Sequence, residues 1–399
     1  TRYKLKFILF FFLFSGWVGA PLIALLGINA AYAGVVLAKS WMIVEERWPE
    51  LKENCRYPYS AIGSKAYGPK TRAIVSLCLH TNLIGSCVVV LLLCAQIIHD
   101  LTAHHFNICF CYWILIIAAI ICPFLFFETP KEFWPAAALA LGTTSIAVCV
   151  ILWEMYKDHI SGDFSHVRYP QPSLKTFFLT FGTIMFAYGA TASFPTFQND
   201  MRKRHKFPTA VIIAFIVLLA LYIPIASVGY YVYGDLVEEN VILTLEDGLN
   251  KTVIEILMAS HLFFAFLLLA NAPIQEIESW LKIPNGFNVK RLATRILVLL
   301  FIVFLGETIP SFGKILNLIG GSAIALLSFV FPPMFYMKLC SMNDPQWPKR
   351  NISAWEKLWL LQVIIIGIIG GSAGTLSALY EILSPKAFIA PCYINLNCK

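Results

Sequence analysis

The sequence predicts an all-α polytopic membrane protein. Of its 399 residues, 58% are hydrophobic and only 13% are charged, and the mean hydropathy is +0.72. A soluble globular protein would carry about 25% charged residues, so this composition excludes that class. The net charge of +7 arises mainly between the apolar runs and gives no indication of nucleic-acid binding.

Ten apolar runs are long enough to cross about 30 Å of hydrocarbon as helices. The linkers between them carry the Pro, Gly, Asn and charged residues and leave no room for a soluble domain. We therefore predict a single transmembrane domain over residues 1–399. The runs lie near residues 7–38, 73–98, 109–127, 133–153, 174–197, 208–233, 252–272, 291–305, 311–337 and 356–383.

The distribution of Lys and Arg predicts the orientation of these spans, because cytosolic loops carry an excess of both. One alternating set of loops holds 20 Lys and Arg residues, and the opposite set holds 7. We predict that the first set is cytosolic; it comprises 39–72, 128–132, 200–207, 273–295 and 338–357. The second set comprises 99–108, 154–175, 234–251, 306–314 and 384–399.

The first apolar run differs from an ordinary span. As one helix, residues 5–38 would be about 50 Å long, and Ser15-Gly16-Trp17 is typical of a break inside it. If all ten spans alternate, Arg2, Lys4 and Lys6 fall on the non-cytosolic side, against the charge rule. We expect the chain to be truncated or altered at residues 1–15.

The run at 174–197 is interrupted halfway, which is the strongest indication of function. Tyr188-Gly189-Ala190-Thr191 and Ser193-Phe194-Pro195 weaken the helix at a depth where no water can satisfy its backbone. The freed N–H and C=O groups must face protein, a cavity or a ligand. Broken helices of this kind bind solutes in transporters.

Two histidines within the apolar runs are candidates for coupling or binding, since ionisable groups are rare at membrane depth. His80, beside Thr81 and Asn82, either joins a polar solute site or is a hydrogen-bonded histidine near a helix end. His261, with Ser260 beside it, either relays protons or packs as a structural residue.

Two glutamates follow Asn271-Ala-Pro273, where the proline disturbs the helix. Glu276 and Glu278 could hold a cation or form a gate. The alternative is an interfacial ion pair with the Lys and Arg residues of 273–295.

One group of residues suggests metal or enzyme chemistry. Asp100, His104 and His105 form a cluster, but adjacent histidines point in different directions, which makes a metal site a weak prediction. No hydrolase, metalloprotease or phosphate-binding motif occurs. We predict no enzymatic activity, no cofactor and no metal.

The eleven cysteines are too scattered for a disulfide framework. Cys109-Phe-Cys111 is the only tight pair and lacks the further ligands of a zinc site. Cys392 and Cys398, near the end of the chain, could pair if that end faces an oxidising lumen.

Several segments together resemble the amino acid/auxin permease family, which includes the vesicular inhibitory and the proton-coupled amino acid transporters. Each motif is weak alone, but their order covers most of the chain. The matching segments are Gly16-Trp17-Val-Gly19, Ala31-Tyr32-Ala-Gly34, Ala66-Tyr-Gly68, Phe186-Ala-Tyr-Gly189 with Phe194-Pro195, Asn271-Ala-Pro273 with Glu276, Leu318-Ile-Gly-Gly321 and Phe329-Val-Phe-Pro-Pro333.

The resemblance implies a LeuT-like inverted-repeat fold of the amino acid/polyamine/cation superfamily, in which ten helices of an expected eleven are visible here. In that fold the first and sixth helices are broken and hold the solute through backbone groups. This chain departs from the pattern at residues 1–15, and we expect the family's first helix to be lacking from it. Position by position, the resemblance offers Tyr188, Gly189, Ala190 and Thr191, and more loosely Thr81, Asn82 and Gly85, as solute contacts.

The function that these observations favour is secondary active transport of neutral amino acids across a lipid bilayer by alternating access. Protons or sodium would drive it, with His261 and Glu276 as ion-coupling candidates. The alternative is a non-transporting, truncated member that acts as a membrane scaffold or sensor. We expect a multi-pass protein of the plasma membrane or of a vesicular or lysosomal membrane.

Overall fold

The computed structural model describes residues 16–55, 57–103, 106, 108–126, 134–161, 167–169, 174–236, 241–284, 288–384 and 391–394. Within these ranges the regular structure is helical and contains no strand. The predictions that concern residues 1–15, His104, His105 and Cys398 lie outside the described residues.

Fifteen α-helices are labelled here in chain order, and short 3-10 or π-helical segments join some of them. They are α1 Gly19–Arg47, α2 Glu50–Asn54, α3 Pro58–Tyr67, α4 Pro69–Thr102, α5 Phe110–Ile121, α6 Trp134–Ser161, α7 Leu174–Ala187, α8 Phe194–Asp200, α9 Phe207–Tyr233, α10 Val241–Thr244, α11 Leu249–Trp280, α12 Val289–Thr308, α13 Phe312–Ile319, α14 Phe331–Ser341 and α15 Ala354–Leu383.

Each of the ten predicted apolar runs contains helix within its described residues, but ten spans are not established. Seven helical segments in the described residues are long and apolar enough to cross a membrane, and 110–126 forms a shorter apolar segment. The all-α, multi-pass class predicted from composition is therefore supported. The seven segments are Gly19–Arg47, Pro69–Thr102, Phe177–Asp200, Arg204–Leu236, Leu249–Trp280, Phe312–Ser341 and Ala354–Leu383.

The predicted loop 39–72 is largely helical, which corrects the predicted end of the first span. Helix α1 continues to Arg47, and α2 and α3 follow. The extension forms because Trp41, Ile43 and Val44 are buried against the C-terminal half of α14 and the side chains of α3. It ends at Trp48 because Pro49 disfavours helical geometry in the residue before it.

Helix α4 lies at the centre of one group of helices. Every residue from Gly85 to Ala95 is buried, so this part of the helix has no polar or lipid-facing side. A helix that is apolar all round must be surrounded by others. Its neighbours are α3, α5, α11, α12 and α13.

The interrupted helix α7–α8 packs against helices on two sides. Helix α1 packs against α8, α9 and α14, whereas α15 packs against α7 and against the π-helical segments that follow α13. This arrangement places the interruption between α1 on one side and the α13–α14 segment on the other.

Candidate functional site

The interruption in the fifth apolar run forms where the sequence predicts it. Helix α7 ends at Ala187, Tyr188 leaves helical geometry with φ −102° and ψ 9°, and Gly189–Ser193 forms a 3-10 turn before α8. Pro195 lies in the first turn of α8, where its missing N–H costs nothing. Within this break Tyr188, Gly189 and Thr191 are buried, but Ala190 is exposed, so one point of the turn is open.

A second interrupted helix faces the first. After α13 the chain winds through two π-helical segments, Gly320–Ile324 and Leu326–Val330, before α14 begins. Both segments contact the Gly189–Ser193 turn. π-Helical turns are frequent at functional sites, and sequence reasoning missed them; the Gly320-Gly321 pair within an apolar run was the available signal.

Hydroxyl groups join the two interruptions. Thr191 Oγ1 lies 2.9 Å from the Tyr188 carbonyl oxygen and also hydrogen-bonds the Ser328 hydroxyl. A hydroxyl has one hydrogen and a carbonyl can only accept, so Thr191 donates to Tyr188 and Ser328 completes the chain as donor to Thr191. The Tyr188 carbonyl oxygen at the break thus accepts a hydrogen bond from a side chain.

The backbones of the two broken segments also approach closely. A Cβ on Gly320 would overlap the carbonyl oxygen of Gly182, so only glycine fits there. Beside this crossing, Thr183 donates a hydrogen bond to the side-chain oxygen of buried Asn317. Small residues that allow such approaches and hydroxyls that bond across helices are typical of membrane helix packing.

Tyr188 bridges α7 to α1 instead of opening into space. Its hydroxyl donates to the Ile23 carbonyl oxygen at 2.9 Å, and its side chain is 1% exposed. Its ring lies beside those of Phe215 and Tyr222. Ala190 is therefore the exposed point of the break, and the Tyr188 phenol is not accessible.

The three α4 residues predicted as solute contacts, Thr81, Asn82 and Gly85, differ in burial. Asn82 is buried, and its Oδ1 accepts from Ser86 at 3.4 Å. Gly85 lies against Ile319, where a Cβ would come within 2.6 Å of that side chain, but Thr81 is exposed. Helix α4 contacts both π-helical segments, which connect Asn82 and Gly85 to the break.

The two ion-coupling candidates, His261 and Glu276, lie at different positions along α11. His261 is buried in the middle part of the helix, and Glu255, nearer its start, is buried as well. Glu276 lies one turn from the helix end and pairs with His80 of α4, with 3.4 Å between Oε2 and Nε2. Trp280, on the next turn of α11, stacks on the His80 ring with 4.9 Å between centroids.

Glu278 follows the alternative predicted for it, an ion pair with nearby arginines. Its Oε1 accepts from Arg291 Nε at 3.2 Å and from Arg295 Nε at 2.6 Å, and Arg295 also donates to the Leu125 carbonyl. Arg295 is 2% exposed, so the pair is buried. It ties α11 and α12 to the chain after α5.

At the other end of α4, Asp100 is held by a lysine. Its Oδ2 lies 3.2 Å from Lys251 Nζ, and Lys251 also pairs with Asp247.

The predicted pairing of Cys392 with Cys398 is wrong. Cys392 is disulfide-bonded to Cys111, and Cys109 is disulfide-bonded as well. Cys111, Glu307 and Cys392 are close enough to resemble a metal cluster, but the disulfide commits both sulfurs. Two cysteines far apart in sequence meet because α5 and the segment after α15 reach the same end of the helices, where the Cys392 N–H also donates to the Glu307 carbonyl.

Comparison with known proteins gives one family over nearly the whole chain. A family model described as transmembrane amino acid transporter protein matches residues 12–378. The chain is 23% identical over 379 residues to amino acid transporter AVT1E of Arabidopsis thaliana, covering 92% of this chain and 68% of the relative. It is 24% identical over 383 residues to amino acid transporter ANT1 of the same plant, covering 91% and 86%, and 22% identical over 386 residues to AVT1I, covering 92% and 89%.

Proposed function

We propose, because the chain belongs to the transmembrane amino acid transporter family, that it carries neutral amino acids across a membrane by secondary active transport. The relatives in Arabidopsis are named amino acid transporters. The single observation that carries the proposal within this chain is the interrupted α7–α8 helix, because unwound backbone at membrane depth is a means of binding solute. The proposed driving ion is a proton or sodium, and the proposed mechanism is alternating access.

The uncharged character of the break fits a solute that brings its own charges. A free amino acid carries a carboxylate and an ammonium group, which backbone N–H and C=O groups at helix ends can bind. We propose that the backbone of Tyr188, Gly189, Ala190 and Thr191 makes these contacts. Asn82 and Gly85 would shape the far side through the π-helical segments, whereas Thr81, which is exposed, is the weakest of the proposed contacts.

The disulfide supports the proposed orientation. Structural disulfides persist in oxidising compartments and are rare in the cytosol. Cys111 lies just after segment 99–108 and Cys392 lies within 384–399, and the Lys and Arg distribution predicts the non-cytosolic side for both segments. Two independent signals therefore agree on the side of the membrane, which would be the outside of the cell or the lumen of a vesicle or lysosome.

The competing proposal is a family member that keeps the fold and does not transport. The comparisons do not favour it, because the relatives in Arabidopsis are named amino acid transporters. The two proposals differ in whether the protein moves amino acids at all, so one functional assay separates them.

The assay is uptake of radiolabelled alanine into proteoliposomes that contain the purified protein. We expect accumulation when a pH or sodium gradient is imposed and none when both gradients are collapsed. Protein-free liposomes give the background. Uptake at the background level under every gradient would contradict transport of this substrate, and the same result for a panel of neutral amino acids would favour the scaffold or sensor.

A further inference from the structure

The disulfide between Cys111 and Cys392 lies beside a carboxylate. Both sulfurs and one carboxylate oxygen of Glu307 lie within 4.8 Å of one another. Glu307 Oε1 is occluded from solvent and accepts no hydrogen bond from the residues that the structure describes. An occluded carboxylate is costly unless a proton or a cation neutralises it. The disulfide alone therefore does not explain why this side chain faces the two sulfurs.

Two further contacts hold Cys392 beside Glu307 independently of the disulfide. The Cys392 N–H donates to the Glu307 carbonyl oxygen at 2.8 Å. The ring of Tyr393 stacks on that of Phe304, one turn before Glu307 on α12, with 6.2 Å between the ring centroids. Opening the disulfide therefore leaves Cys392 and Glu307 close together, so the three side chains form a preassembled group.

A low-molecular-weight thiol converts the disulfide into two metal ligands. Its thiolate attacks one sulfur of the Cys111–Cys392 bond and releases the other, and a second thiol displaces the first from the mixed disulfide. Two external thiols are thereby oxidised to one disulfide, and their two electrons and two protons leave Cys111 and Cys392 as thiols. Cys111 is only partly buried, so a small thiol has an approach to the bond.

Two thiolates and a carboxylate at these separations fit a zinc ion. Zinc binds Cys sulfur at about 2.3 Å and carboxylate oxygen at about 2.0–2.2 Å, so tetrahedral geometry places the sulfurs about 3.8 Å apart and the oxygen about 3.5 Å from each. The Cα atoms of Cys111 and Cys392 are 5.7 Å apart, and rotation about their Cα–Cβ bonds opens the sulfurs to that separation. Magnesium and calcium prefer oxygen ligands alone, and Cu(I) prefers sulfur, which makes zinc the ion of choice for this mixed set.

We propose that Cys111, Cys392 and Glu307 form a zinc site that a thiol opens. While the disulfide is intact, both sulfurs are committed to it. After reduction, Zn²⁺ displaces the two thiol protons and is held by both thiolates and the Glu307 carboxylate, with water in the fourth position. The ion then replaces the disulfide as the link between α5, α12 and the segment after α15. The site goes beyond the proposed transport function and does not depend on it.

The experiment uses the full chain in detergent and first removes the background from other cysteines. Seven further cysteines are free in the part of the chain that the structure describes, so N-ethylmaleimide is used to alkylate free thiols. A phosphine then reduces the disulfides, and both reagents are removed. The thiols released by this step are those of Cys111, Cys392 and the other disulfide-bonded cysteines, among them Cys109.

Zinc binding is measured by competition with a chromophoric chelator. We expect one zinc ion per reduced unmodified protein and no binding of similar affinity by the unreduced protein. Glu307→Gln keeps the shape of the side chain and removes its charge, and Cys392→Ser removes one sulfur. Losing a residue that only orients a metal ligand weakens binding by about 10–100-fold, so losing a ligand should weaken it by at least as much.

Glu246→Gln is the matched control for the carboxylate. Glu246 is exposed and lies in segment 234–251, on the same predicted side of the membrane as the disulfide. We expect this variant, alkylated and reduced in the same way, to bind one zinc ion as tightly as the unmodified protein does.

Protection from alkylation identifies the ligands. A mass-labelled maleimide is added to the reduced protein with and without zinc, and peptide mass spectrometry locates the label. We expect zinc to slow the labelling of Cys111 and Cys392 but not that of Cys109, and Glu307→Gln to lose this protection. Zinc should also raise the denaturation midpoint of the reduced protein and leave that of the unreduced protein unchanged, because only the reduced site binds it.

Four results would overturn the proposal. The reduced unmodified protein binds no more zinc than Cys392→Ser; Glu307→Gln binds zinc as tightly as the unmodified protein; or zinc protects Cys109 and leaves Cys111 reactive. The fourth is a protein that unfolds on reduction and is not refolded by zinc, because its ligands would not be preassembled. None of these measurements involves amino acid uptake, so failure of the transport proposal and failure of the zinc site are separate outcomes.

Discussion

The interrupted helices and the helix ends around Glu276 handle polarity in opposite ways. At the break between α7 and α8, backbone groups, Thr191 and Ser328 satisfy one another with no ionisable partner. Near the end of α11, by contrast, Glu276 and Glu278 pair with His80, Arg291 and Arg295. One region is polar without charge, and the other concentrates charge.

This difference suggests that the uncharged break and the charged helix ends have different roles. A zwitterionic solute needs dipoles on both sides of its charges, and an uncharged break provides them without repelling either end. The charged pairs lie instead near a helix end, where they join α11 to α4 and α12.

The largest expected effect comes from filling the break. Replacing Gly189 with leucine places a side chain where even a Cβ would lie 2.7 Å from Ile324 Cδ1. The turn must then move away from the π-helical segments, and the backbone that we propose as the solute contact moves with it. We expect alanine exchange in proteoliposomes to fall to the level of protein-free liposomes.

Gly142 supplies the control for this substitution. It lies on α6, and a Cβ added there would have no neighbouring atom within 4 Å, so Gly142→Leu should leave exchange unchanged. Both variants should reach the membrane in equal amounts. Normal exchange by Gly189→Leu would contradict the assignment of the solute site to this break.

Substitutions in the charged region near the end of α11 should lower the stability of the protein more than they change solute binding. Arg295→Ala leaves the buried Glu278 carboxylate with a weaker set of partners and removes the bond to the Leu125 carbonyl. Breaking a buried ion pair costs about 3–5 kcal/mol. We expect a clear drop in the thermal denaturation midpoint of the detergent-solubilised protein.

An exposed ion pair on the same protein provides the control for the loss of stability in Arg295→Ala. Arg350 pairs with Glu46, but their side chains are 37% and 42% exposed, so Arg350→Ala should cost about 0–1 kcal/mol. Equal midpoints for the two alanine variants would show that the Glu278 pair does not hold α11 to α12.

The two regions also differ in how far the sequence predicts them. The α7–α8 break is encoded locally, since Gly189, Thr191 and Pro195 each weaken or redirect a helix on their own. The groups that face it, Ser328 and the Ile23 carbonyl, come from distant parts of the chain, and no local pattern indicates them. The charged pairs are entirely of the second kind: His80 and Glu276 are individually visible in the sequence, but their contact depends on how α4 packs on α11.

Local composition was misleading in one place. Lys39, Arg47 and Pro49 favoured a loop after residue 38, but α1 continues to Arg47. The burial of Trp41 and Val44 decides the outcome, and Arg47 is itself buried, with its guanidinium donating to the Leu339 carbonyl oxygen.

The disulfide should have the next largest effect, at the opposite ends of the helices from Glu276. Cys392→Ser removes the link between the segment after α15 and the start of α5, and losing a disulfide typically costs about 2–4 kcal/mol. We expect a lower denaturation midpoint with transport retained. Because both cysteines serve one bond, Cys111→Ser combined with Cys392→Ser should lower the midpoint no further than either alone.

The free, exposed Cys149 provides the control, and Cys149→Ser should leave the midpoint unchanged. A double variant with twice the loss of each single variant would contradict the bond, because independent sites add and partners in one bond do not.

The smallest expected effect tests whether the uncharged region is held by its hydroxyls. Thr191→Val and Ser328→Ala each remove one member of the chain that ends on the Tyr188 carbonyl, at about 0.5–1.5 kcal/mol per net hydrogen bond. Since Thr191 takes part in both bonds, as donor in one and acceptor in the other, Ser328→Ala should add little to Thr191→Val, and the apparent affinity for alanine should fall in the same order. Additive losses in stability or affinity would mean that the two hydroxyls act separately, and that the break is held by the backbone contact between Gly182 and Gly320 instead.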